Sequence, residues 1–184
     1  MGGVVPEAIT VARWIRRVAM PLALALTVGL RAQTPDIHYV PTPDDVVAAM
    51  LDTANVTAVD VVYDLGSGDG RIVIEAAKKY GARAVGVELD PDLIKRATAN
   101  AQKAGVADKV TFVRSDFFKV DLSPATVVML YLSQSTNLRL QPKLRRELKP
   151  GARVVSHRFP MPPDWKPDRD VTVRGAHVLL WTIR

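Results

Sequence analysis

The stretch Val61-Val62-Tyr63-Asp64-Leu65-Gly66-Ser67-Gly68-Asp69-Gly70-Arg71 decides the fold. A short apolar run ends on an acid, a glycine-rich turn follows, and an amphipathic segment continues to about Tyr80. A buried strand that feeds a helix through such a turn is the nucleotide-binding corner of an open parallel sheet. The first amides of the helix are free to meet a carboxylate or another negative group. The turn alone does not discriminate, because dinucleotide enzymes use a similar one.

The acids around it discriminate better. Asp64 ends the first strand, Glu88 ends the second 24 residues later, and Asp116 ends the third after a further 28. Acids at successive strand ends line one edge of a sheet. S-adenosyl-L-methionine offers them an ammonium group, two ribose hydroxyls and an adenine amine. An acid at the second strand is the ribose acceptor of nucleotide folds, and the absence of a basic residue there disfavours NADP.

Outward from this corner the chain alternates short apolar runs with amphipathic ones. Thr42-Pro43-Asp44-Asp45 predicts a helix start with Thr42 as the capping hydroxyl and Pro43 at the first helical position, running to about Ala54. Strands are predicted at 59–65, 83–87, 109–114, 126–132 and 152–159, with helices at 70–80, 91–104 and 137–148. Pro160, Pro162, Pro163 and Pro167 forbid a regular crossover helix after the fifth strand. Residues 171–174 and 177–183 read instead as a closing hairpin around Gly175-Ala176. The expected fold is α/β, a Rossmann-like doubly wound, mainly parallel seven-stranded sheet with a C-terminal antiparallel hairpin.

Residues 61–71, Gly86-Val87-Glu88-Leu89-Asp90 and Ser115-Asp116-Phe117 resemble the first three motifs of the seven-strand S-adenosylmethionine-dependent methyltransferases. Tyr39-Val40-Pro41-Thr42-Pro43, and Gly151 to Phe159 with Trp165, resemble one branch of them. That branch holds the mitochondrial lysine methyltransferases of the adenine nucleotide translocase and of the c-ring protein of ATP synthase, with prokaryotic relatives. The resemblance implies a cofactor site of Tyr39, Thr42, Asp64, Gly66, Ser67, Gly68, Glu88, Leu89, Asp116, Phe117 and Leu130. It also implies that the Tyr39–Thr42 segment folds over the cofactor, and that Tyr131 and Tyr39 position the acceptor. Met129-Leu130-Tyr131-Leu132-Ser133-Gln134 lacks the Asn/Asp-Pro-Pro-Tyr/Phe sequence that holds a planar amine, which disfavours adenine or glutamine as acceptor. A protein lysine is the expected acceptor. The alternatives are a small molecule or quinone-like lipid, or a domain that binds the cofactor without reacting.

The remaining features bound this reading. There is no cysteine, which excludes disulfides and thiolate nucleophiles, and His38, His157 and His177 have no metal-ligand spacing. The net charge of +6 divides equally between residues 1–33 and the other 151, which hold 21 basic and 18 acidic side chains. So small an excess in the domain predicts no specific nucleic-acid partner. Residues 18–30 form an uncharged, mostly apolar run behind Arg13, Arg16 and Arg17. With the polar stretch from Ala32, this is the layout of an export signal or membrane anchor, expected over residues 1–33 ahead of a methyltransferase domain at 34–184. The arginines favour an exported or membrane-associated domain, in tension with a cofactor made inside cells.

Overall fold

The computed structural model describes residues 39–184; the signal-like segment of residues 1–33 lies outside them. Eleven elements follow in the order α1 (Asp44–Thr53), β1 (Val61–Leu65), α2 (Arg71–Tyr80), β2 (Arg83–Glu88), α3 (Pro91–Lys103), β3 (Val110–Arg114), β4 (Val127–Leu130), α4 (Gln134–Glu147), β5 (Arg153–His157), β6 (Arg169–Val173) and β7 (Ala176–Thr182). Among the described residues no helix is long and apolar enough to cross a membrane.

The strands form one sheet of order β3-β2-β1-β4-β5-β7-β6, in which β7 alone runs antiparallel to both its neighbours. The expected fold class is borne out. After β3 the chain returns across the sheet to pair β4 with the other side of β1, so the order reverses between β1 and β4. Ligands bind outside the carboxyl ends of the strands at such a reversal.

Alternation along the strands sorts side chains to the two faces. Val62, Val127, Met129, Val155 and Val178 pack with α1 and α2 on one face. Leu65, Val128, Leu130, Val154 and Trp181 pack with Leu140 and Leu144 of α4 on the other. In α2 the buried residues Ile72, Val73, Ala76 and Ala77 make a single stripe, and Gly81 ends the helix in the left-handed conformation. Asp90 caps α3 by accepting from the amides of Asp92 and Leu93, with Pro91 in the first turn.

Two local expectations are corrected. The start of α1 lies one residue later than expected: Pro43 is the N-cap, and no side chain caps the helix. Thr42 is buried and contributes its carbonyl to the site described below, not a capping hydroxyl. The proline-rich stretch after β5 does avoid a helix, and it still covers the sheet. Met161 is buried there, Trp165 lies 6.0 Å from Trp181 ring to ring, and Trp181 Nε1 donates to the Trp165 carbonyl at 2.7 Å.

Candidate active site

The glycine turn is hung on the end of β2. The amides of Gly66 and Ser67 both donate to the Val87 carbonyl, at 2.8 and 3.0 Å, and the Gly70 amide closes the turn on the Ser67 carbonyl. Gly68 has φ +53°, and a Cβ there would collide with Cε2 of Tyr39, so only glycine lets that ring lie on the turn. Gly86 serves the same turn from β2, since a Cβ there would meet both Ser67 Oγ and the Phe112 ring at 2.7 Å.

Three acids meet here. Asp64 is buried, and no described residue donates to its carboxylate. Burial, then the carboxylates of Glu88 and Asp69, push its pKa from 3.8 up to about 8. Glu88 accepts from the amides of Gly68 (3.0 Å), Leu89 (2.7 Å) and Asp90 (3.1 Å), which engages most of a carboxylate's acceptor sites. Asp69 is held by Arg71 through two side-chain bonds, Nε to Oδ1 at 3.0 Å and Nη2 to Oδ2 at 2.8 Å. Burial works against its ionisation, but the Arg71 guanidinium prevails and lowers its pKa.

These residues fit S-adenosylmethionine. A buried carboxyl with no cationic partner among the described residues suits an ammonium group, which would favour its ionisation. Glu88 ends the second strand, the position of the ribose acceptor in nucleotide folds, and the buried Ser67 Oγ has no hydrogen-bond partner. Leu89 is exposed beside Glu88 and offers an apolar surface. Asp116 turns its carboxylate onto the Phe118 amide at 2.9 Å, and the Phe117 and Phe118 rings lie 4.9 Å apart against the α4-side core. Leu130 is fully buried in the α4-side core, so any part it takes at the cofactor falls to its backbone.

An aromatic wall is built beside this corner by the ends of β4 and β5. Leu130 pairs with Ser156, so Tyr131 and His157 are the next residues in register. Their rings lie 4.0 Å apart at 33°, and Phe159 lies 6.4 Å from Tyr131, nearly parallel to it. His157 is buried, no described residue bonds either ring nitrogen, and its Nδ1 is sealed from solvent. Burial, then the Arg158 guanidinium, lower its pKa to about 4, so the ring is neutral near pH 7. The backbone turns sharply after it: the Phe159 amide donates to the His157 carbonyl at 2.9 Å across Arg158, which has φ +69°. A γ-turn of this hand is strained in a non-glycine residue. Asn137 of α4 and Ser156 brace it, donating to the Phe159 carbonyl at 2.8 and 2.7 Å.

Tyr39 lies with its ring against Gly68 of the glycine turn. Burial, then Asp69, raise the pKa of its phenol. The fold thus gathers Tyr39, Thr42, Asp64, Gly66, Ser67, Gly68 and Glu88 at one corner, with Tyr131 at the adjoining strand end. Sequence reasoning left out Asp69, Arg71, His157 and Asn137. Of these, Asp69 and Arg71 lie in the quoted glycine turn and His157 in the Gly151–Phe159 stretch, whereas Asn137 lies in no readable motif.

The family model described as the ANTKMT methyltransferase domain matches residues 64–169. A protein-lysine N-methyltransferase from Saccharolobus islandicus (strain REY15A) is 48% identical over 145 residues, covering 78% of this chain and 89% of that protein. The adenine nucleotide translocase lysine N-methyltransferase of Mus musculus is 48% identical over 107 residues, which are 58% of this chain and 46% of the mouse protein. The chain thus spans about half of that relative's length. The crystal structure of an RNA methyltransferase from Salinibacter ruber, in complex with S-adenosyl-L-homocysteine, matches with a TM-score of 0.77 at 57% identity, covering 78% of this chain and 94% of that one. An acid-lined glycine turn at the reversal of a seven-stranded sheet, inside a match that takes in more than half of the residues, leads to one conclusion: the chain belongs to the family of the ANTKMT methyltransferase domain.

Proposed function

We propose that this protein transfers the methyl group of S-adenosyl-L-methionine to the side-chain amine of a protein lysine. The observation that carries the reading is the uncharged aromatic wall of Tyr131, His157 and Phe159 beside the cofactor corner. Aromatic faces attract an ammonium group. A histidine held neutral adds no positive charge to oppose it. The names of the Saccharolobus and mouse relatives support the same acceptor.

The bound cofactor supplies an electrophilic methyl on a sulfonium sulfur. The chain's own residues orient and desolvate. Asp64 and Glu88 fix the donor, while Tyr131 and His157 limit the approach of the amine and exclude water from it. A lysine reacts only as the neutral amine; the wall attracts its ammonium form, while loss of water and the positive sulfonium beside it lower its pKa from the free value of about 10.4. No dedicated base is required.

The test is to incubate the protein and methyl-labelled cofactor with a lysate of its own source, then hydrolyse the labelled material. Methyl-lysine is the expected product, formed faster as pH rises from about 7 to 9 with the cofactor held at saturation. Label recovered in RNA, the acceptor class for which the Salinibacter relative is named, or in a lipid or small molecule, overturns the reading.

We infer further that the apolar run of residues 18–30, behind its arginines, holds the domain at a membrane. Flotation of the whole chain with lipid vesicles, abolished by deleting residues 1–33, is the expected result.

A further inference from the structure

We propose that Arg71 is a positioning residue for cofactor binding, which acts by tying the Tyr39–Thr42 strap down onto the glycine turn. Arg71 is the first residue of α2, so its backbone is fixed by the turn itself. Its guanidinium is shared between two segments far apart in the chain. Nε and Nη2 grip the two oxygens of Asp69, while Nη1 donates to the Thr42 carbonyl at 2.8 Å and approaches Asp44 to 3.7 Å. Asp69 is itself anchored from α3, where Asn100 Nδ2 donates to its carbonyl at 3.0 Å. The strap has few other holds. Pro41 and Pro43 have no amide to donate, Tyr39 and Val40 are exposed, and α1 begins without a side-chain cap. What the latch places is the Tyr39 ring, in contact with Gly68 next to the acids of the site.

A planar fork suits this task and a lysine does not. Only a guanidinium offers a bidentate grip on a carboxylate with a further N–H directed elsewhere. The same bonds could serve packing of α1 on α2 alone. That reading predicts a loss of thermal stability with no selective effect on the cofactor.

The experiment uses the whole chain with S-adenosyl-L-homocysteine as probe and does not depend on the acceptor. In Arg71→Ala we expect the probe to bind about tenfold to a hundredfold more weakly by calorimetry. We also expect amide exchange to rise in the peptide carrying Tyr39, Val40 and Thr42 and to stay unchanged in β1 and β4. Arg71→Lys should recover only part of the affinity. In the Tyr39→Ala background, Arg71→Ala should cost little more, because the two residues act as one unit. Should Arg71→Ala compromise folding, Asp69→Asn cuts the same latch from its other side and should weaken the probe comparably. Unchanged affinity in the folded variants, unchanged strap exchange, or full additivity with Tyr39→Ala overturns the proposal.

Discussion

Tyr131 and His157 stack 4.0 Å apart although 26 positions separate them, because the β4–β5 register sets their strand ends side by side. The pair sits at the strand ends beside the glycine-turn corner, and it carries a cost: a buried nitrogen with no partner among the described residues. A buried polar atom left unpaired costs about 1–3 kcal/mol.

His157→Phe keeps a ring against Tyr131 and removes that nitrogen. It should therefore raise stability by about 1 kcal/mol, a gain of about 2–4 °C in melting temperature for a domain of this size. Scanning calorimetry of the two proteins at pH 7 decides. A lower melting temperature in the variant means the nitrogen is bonded in solution.

Asp64 makes the unliganded protein sensitive to alkali. Its folded pKa, about 8, lies above its ordinary 3.8, so between these values the folded state binds more protons than the unfolded state. Stability from this group is complete at low pH and is lost as pH rises toward 8. His157 acts in the opposite sense, but only between about 4 and 6.5, where its protonation is favoured in the unfolded chain. The melting temperature should therefore fall between about pH 6.5 and 8, and Asp64→Asn should flatten that fall.

The same carboxyl should report on ligand binding. At pH 7 it is protonated in the free protein, and an ammonium placed beside it favours ionisation. Binding of S-adenosyl-L-homocysteine should release close to one proton, read from the buffer dependence of the calorimetric heat. Asp64→Asn should abolish the release, and a wild-type heat that does not vary with the buffer refutes the pairing.

Glu88→Ala removes the ribose acceptor and also frees the amides of Gly68, Leu89 and Asp90. Charge-assisted bonds are worth about 1.5–3 kcal/mol each, and water replaces part of them. A loss of about tenfold to several hundredfold in cofactor affinity is expected by titration calorimetry. Unchanged affinity excludes Glu88 from the site.

Deletion of residues 1–33 should leave a folded, monodisperse protein that binds the cofactor. Residues 38–184 cluster as a compact unit of their own, which holds every strand of the sheet. Aggregation with loss of binding is the contrary result.

The sheet was legible because its punctuation is local. Gly81 ends α2, Asp90-Pro91 opens α3, and the prolines after β5 exclude a helix whatever the tertiary context. The acid-lined corner was legible for the same reason, since strand, turn and helix are contiguous there. The cap at Thr42 was misread because Pro43 shifts the helix start by one residue and Arg71, 29 positions away, claims the Thr42 carbonyl. The stack of Tyr131 on His157 and the brace from Asn137 depend on strand register and on α4 packing, which no single segment encodes.

The antiparallel course of β7 has a practical meaning for anyone reshaping this enzyme. His157 pairs with Val178, so the tip of the β6–β7 hairpin projects past the end of β5 on the reactive edge, where Arg174 pairs with Asp45 at the head of α1. Its strands are joined only by Arg174 and Gly175. A longer or differently charged graft at that tip would extend this edge of the sheet beyond β5 without entering the parallel strands, and would also change the tie from Arg174 to α1. This edge of the sheet is thus open to insertion at a two-residue splice point.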